Sequence, residues 1–165
     1  MISLRKLSHI SLFAFPLSFV LSNGNMQDGP RAANVEKKIC YIENIFTKTG
    51  TRFVIIDTIE WFQDEKAVNA YKKDHPESTA PLPNGYYIRN RVVRWDTLAI
   101  ADTAQFVMQS YSRDSDGNFR HNERIDFDHI ARLFSETKQA QYRRIPFWIV
   151  ISQGRILSIA EQYIP

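Results

Sequence analysis

The segment Ser112-Arg113-Asp114-Ser115-Asp116-Gly117, followed by Glu123, spaces oxygen-bearing side chains much as a calcium loop does. Such a loop alternates ligands, turns on a glycine and closes on a glutamate. Three features oppose that chemistry. The loop opens on serine rather than aspartate, Arg113, Arg120 and Arg124 would repel a dication, and Gln105 to Tyr111 before it reads as a strand, not a helix. We therefore expect an Asp-Gly turn and do not take Asp114, Asp116 and Glu123 as metal ligands. Asp57 and Glu60 form a second set. A carboxylate ending an apolar strand can hold its proton longer, as a general acid requires. A straight strand would put these two on opposite faces, so only a bend after Asp57 would bring them together. Burial habits favour the plainer reading, in which Asp57 satisfies backbone groups and Trp61 packs. His75, His121 and His129 are scattered, and Cys40 is the single cysteine. It has no internal disulfide partner, and its apolar neighbours Ile39, Tyr41 and Ile42 suit a buried thiol. No metal set, nucleophile elbow, phosphate loop or dinucleotide fingerprint is visible, so no cofactor is expected.

Aromatic residues are the remaining chemical resource. Tyr86, Tyr87, Trp95, Tyr111, Trp148 and Tyr163 exceed what helix faces require. On a strand, neighbours point to opposite sides, so Tyr86 with Tyr87, and Phe147 with Trp148, cannot both enter a one-sided core. Either the sheet is covered on both sides or some rings face a groove. Tyr86, Tyr87, Trp95, Trp148 and Tyr163 are the expected ligand-binding set, with Asp57 and Glu60 the alternative acid–base pair.

The elements that would position them are mostly strands. Ile39–Phe46 and Thr51–Thr58 read as a hairpin around a Gly-containing loop. Gln63–Lys73 reads as a helix with Asp64 as its cap and Ala67, Val68 and Tyr71 as its stripe. Tyr86–Arg89, part of Arg91–Ile100, and Gln105–Tyr111 read as further strands. Asp126–Phe134 is the clearest helix, with Phe127, Ile130, Ala131 and Phe134 on one face and Asp126 ready to cap. Pro146–Ser152 and Arg155–Tyr163 flank Gln153-Gly154, a tight hairpin turn. The expected fold is β-rich α+β: a mainly antiparallel curled sheet or partly open small barrel, OB-like or SH3-like, with two short helices.

Residues 1–22 read as an export signal. Arg5 and Lys6 precede a mostly apolar run, Leu7–Leu21, and small residues allow cleavage before Asn23 or Asn25. The run is short for a membrane span and contains Pro16. Residues 23–38 read as a flexible leader and 39–165 as one globular domain. Removing the signal takes two positive charges from +3 and leaves +1. A near-neutral domain gives no electrostatic case for nucleic acid or an anionic membrane as partner, and no integral span should remain once the signal is gone.

Three segments carry a resemblance: Tyr41–Ile45 running into Ile56–Trp61; Pro83-Asn84-Gly85-Tyr86-Tyr87-Ile88-Arg89-Asn90; and Pro146–Ile149 with Gln153-Gly154 and the ending Glu161–Pro165. Together they resemble a group of small exported or lipid-anchored bacterial proteins built as single domains. The resemblance implies a strand-rich fold and an envelope setting, periplasmic or extracellular, and brings no catalytic residues with it. The expected function is non-catalytic binding of an envelope protein or cell-wall polymer through an aromatic-bearing sheet face. A small extracytoplasmic hydrolase using Asp57 or Glu60, and a structural domain without ligand, are the alternatives.

Overall fold

The first strand, β1 (Val35–Lys48), turns at Thr49-Gly50 into β2 (Thr51–Thr58). The computed structural model describes residues 34–82, 84–135 and 137–164, apart from the side chains of 137–140. The expected signal at 1–22 and leader residues 23–33 lie outside the described residues. The last part of the expected leader, however, is strand: Val35 to Lys38 pair with Ser152 to Ile149 of β7 (Phe147–Ser152). Backbone pairing asks nothing apolar of the side chains, so this charged stretch joins the sheet with its side chains largely in water. A bulge at Glu43 resets the alternation of β1, which lets both Ile42 and Ile45 point inward.

Between β2 and the next barrel strand lies an insertion of β3 (Glu60–Gln63), α1 (Asp64–Asp74) and β4 (Tyr86–Arg89). The strands β3 and β4 form their own two-stranded sheet. Then comes β5 (Trp95–Met108), a single strand where two were expected. The small and polar run Ala101–Ala104 looks like a break in sequence, but it is an irregularity within the pairing of β5 with β8, which starts at Ala99, where the pairing with β2 ends. Short β6 (Glu123–Ile125), which sequence patterning did not reveal, pairs with the end of β5. Next are α2 (Phe127–Ser135), a 3-10 segment (Thr137–Arg144), β7, and β8 (Arg155–Glu161).

The ring closes as β1-β2-β5-β8-β7 and back to β1, with only β5–β8 parallel. This small mixed barrel, with a helix between its third and fourth strands in chain order, is OB-like. An all-antiparallel SH3-like barrel has no place for the parallel pair. Its interior is filled by Ile42, Val54, Ile56, Ile100, Phe147, Ile149, Ile156 and Ile159. The helix α2 covers the core with Phe127, Ile130, Leu133 and Phe134, and Phe134 meets Phe147 edge-on at 5.7 Å. Asp126 caps α2 as expected, accepting the His129 N–H at 2.8 Å. The turn from β7 to β8 places Gln153 at φ 51° and Gly154 at φ 73°, the two left-handed residues that a tight two-residue hairpin requires. Cys40 lies wholly inside, its Sγ 3.6 Å from the Phe147 carbonyl. Burial pushes its thiol up to about 12, which leaves it unreactive at neutral pH.

Candidate functional site

Strand β7 alternates strictly between inward and outward side chains. Phe147 is inside, so Trp148 stands on the outer wall of the barrel. Its indole N–H donates to Gln162 Oε1 at 2.8 Å, and Lys37 Nζ lies 4.4 Å from the ring centre. One ring face is thereby occupied by a cation and the ring plane is fixed.

Opposite it stands the insertion. Ile59, buried, donates its N–H to the Ile39 carbonyl at 3.1 Å and ties the start of the insertion to β1. By register, Trp61, Gln63, Tyr86 and Ile88 share one face of the small sheet, while Phe62, Tyr87 and Arg89 share the other. Trp61 stacks on Tyr86 with centroids 4.9 Å apart. The helix α1 covers the second face through Ala70 and the Asp74–Arg89 ion pair. There Tyr87 stacks on Phe62, meets Tyr71 edge-on and donates to Asp74 at 3.2 Å. The face bearing Trp61 is left toward the barrel.

Between them opens a cleft of about 490 Å³, lined by Trp61, Phe62 and Trp148 and by Gln63, Asp64, Glu65 and Lys66 of the first turn of α1. Asp64 does not cap the helix as expected. The cap position belongs to Gln63, whose side chain makes no capping bond, and Asp64 sits one residue further at φ 52° with its N–H on the Gly85 carbonyl at 2.9 Å. Aspartate is among the few residues that tolerate this left-handed conformation. The result is a concave site with indole surface on both sides and amide, carboxylate and ammonium groups along one edge. Such a site stacks on an apolar ring face while exchanging hydrogen bonds with hydroxyl or amide groups at its rim.

Of the five aromatics expected to bind, Trp148 lines this cleft, and Tyr86 stacks on its Trp61 without lining it. Tyr87 belongs to the packing under α1, Trp95 is exposed at the start of β5, and Tyr163 meets His121 edge-on at 5.0 Å. For Trp61 the sequence favours core packing beside Asp57, whereas the structure places it on the cleft. The signal that identifies it is the alternation Trp61-Phe62-Gln63, a strand pattern too short to stand out. Asp57 is buried with both oxygens engaged, by Asn90 Nδ2 at 2.6 Å and by the Arg94 N–H at 2.9 Å. Glu60 faces Arg89 at 3.4 Å, so the two carboxylates hold different partners. In the Ser112–Glu123 stretch, Asp114 Oδ1 accepts the N–H groups of Asp116 and Asn118, and Ser112 donates to Glu123 at 2.6 Å. Among the described residues no group of three or more His, Cys, Asp or Glu side chains is arranged to hold a metal, and no helix is long and apolar enough to cross a membrane.

No family model, curated protein or solved structure matches this chain. The reading of the site therefore rests on its geometry.

The ion pair that holds α1 to the small sheet makes the insertion acid-sensitive. Hydrogen bonds from Arg89 foremost, then Arg91 and Tyr87, hold the Asp74 carboxyl at about 2. A depressed pKa contributes stability that is complete above the ordinary carboxylate value and disappears as pH falls through the folded value. The stability difference between wild type and Asp74→Asn should thus shrink as pH drops from about 4 to about 2. Denaturant melts across that range test it, and a difference that stays constant would show that Asp74 does not titrate against these arginines.

Proposed function

We propose that this protein is a non-catalytic binding module of the bacterial envelope that holds a cell-wall polymer in the cleft between barrel and insertion. One observation carries the reading: Trp148, on the outside of the barrel, and Trp61, on a separate sheet, line the same open cleft beside an uncapped polar helix start. A hydrophobic partner surface would favour an apolar rim, whereas this rim offers Gln63, Asp64, Glu65 and Lys66. Hydroxyl- and amide-rich sugar rings suit both halves of the site, with a ring face on indole and polar edges on the rim. OB-like barrels are a known scaffold for oligosaccharide recognition. The signal-like residues 1–22 support export to where such a polymer lies.

The hydrolase alternative receives less support, since Asp57 spends its oxygens on Asn90 and Arg94. Co-sedimentation of the protein with purified insoluble cell wall tests the proposal. Wild type should pellet with the wall, and Trp61→Ala and Trp148→Ala should each weaken binding about tenfold or more, the loss of a principal contact. Binding that is absent in wild type, or unchanged in both variants, would refute it.

A further inference from the structure

Asn84 and Gly85 lead into β4, and both are exposed. An asparagine followed by glycine carries chemistry of its own. The glycine's backbone nitrogen can reach the asparagine Cγ and close a five-membered ring, provided that the nitrogen is unshielded and free to give up its proton. Gly85 meets both conditions. A Cβ there would have nothing within 4 Å, so the approach is open. Its N–H reaches no acceptor among the described residues, and the Asn84 side chain makes no hydrogen bond among them. Gly85 stands at φ 68°, a conformation that glycine adopts without penalty, so the turn itself calls for the reactive pair.

The comparable positions are shielded. Every other asparagine among the described residues precedes a residue that carries a side chain. Asn90 in addition has its amide held by Asp57 at 2.6 Å. In Asp116-Gly117 the glycine nitrogen is occupied, donating to the Asp114 carbonyl at 3.2 Å.

We infer that Asn84 is a self-modifying site in the folded protein. The Gly85 nitrogen bonds to the Asn84 Cγ, the bond from Cγ to the amide nitrogen breaks, and ammonia leaves with the Gly85 proton. Water then opens the cyclic imide. Attack at the Cγ carbonyl gives aspartate; attack at the main-chain carbonyl gives isoaspartate, whose backbone runs through Cβ and Cγ. No oxidant, metal or second protein is needed. Isoaspartate adds one methylene to the main chain immediately before Gly85, whose carbonyl accepts the Asp64 N–H at 2.9 Å. It also leaves a new carboxylate beside that bond. The reaction therefore loosens the start of α1, where Gln63 and Asp64 edge the cleft. The modification depends on the turn alone, whatever the cleft holds.

Ageing the full-length protein at mildly alkaline pH, under conditions where its circular dichroism stays that of fresh protein, tests the inference by peptide mapping. Trypsin releases residues 74–89, in which Asn84 is the one asparagine and glutamine is absent. This separates it from Asn23-Gly24, a second such pair that lies outside the described residues. The peptide should gain one mass unit and split into two species, isoaspartate the larger, while the peptides holding Asn44, Asn69 and Asn90 stay unchanged. Protection of the Asp64 amide from hydrogen exchange should fall about tenfold in the isoaspartyl form. Asn84→Gln keeps an amide but would have to close a six-membered ring, and should show neither change after the same ageing. A 74–89 peptide that stays intact in the folded protein would overturn the proposal, and so would aspartate formed without isoaspartate. Undiminished protection of Asp64 would refute the loosening of α1.

Discussion

Phe147→Ala should destabilise the protein by about 3–5 kcal/mol, while Trp148→Ala, one residue along, should cost far less and weaken the proposed cell-wall binding about tenfold or more. The contrast follows from strand alternation. Phe147 has no exposed surface and packs between Phe134 of α2 and the barrel interior, so truncation leaves a cavity that the closed barrel cannot collapse around. Trp148 lies on the outer wall, half-buried, and loses one hydrogen bond to Gln162 and the company of Lys37. Denaturant unfolding of the two variants, run beside the sedimentation assay, separates folding from binding. Equal destabilisation by both substitutions would mean that the cleft wall is core.

Glu161→Ala should cost on the order of 3 kcal/mol, because it strands three donors at once. This buried carboxylate ends β8, where it accepts the Gln109 N–H at 2.7 Å, the Ser110 N–H at 3.0 Å and the Ser110 hydroxyl. It thereby pins the last barrel strand to the chain leaving β5, beside the one parallel pairing of the ring. Glu161→Gln keeps an acceptor oxygen and should fall between wild type and alanine. Equilibrium denaturation with an unchanged slope is the measurement. A loss below about 0.5 kcal/mol, the range of an ordinary surface change, would show that water replaces the carboxylate readily.

The parts of the fold legible in sequence are those whose local pattern and tertiary role agree. The stripe of α2, its Asp126 cap and the closing hairpin around Gln153-Gly154 all have that property, and the small OB-like barrel follows from them. Illegible were features whose cause is distant. The strand at Val35–Lys38 is dictated by its pairing with β7, not by its charged side chains. Continuity of β5 through Ala101–Ala104 depends on its pairing with β8 on both sides of the run, and β3 is too short to show a period. Asp64 looked like a helix cap because its type suits one, yet the chain enters α1 one residue earlier. The site was legible in its materials rather than its arrangement. Surplus aromatics and the Phe147–Trp148 alternation left either a groove or a sheet covered on both sides, and only the folded insertion brings Trp61 opposite Trp148.

The chain has three tryptophans, Trp61, Trp95 and Trp148, and each contributes one indole N–H resonance. A two-dimensional proton–nitrogen NMR titration with soluble cell-wall glycan fragments therefore tests the aromatic cleft residue by residue. If the cleft holds the polymer, the Trp61 and Trp148 signals should shift together along one saturation curve while Trp95 stays in place. Movement of Trp95 alone, or no movement of Trp61 and Trp148 at the highest fragment concentration, would contradict it.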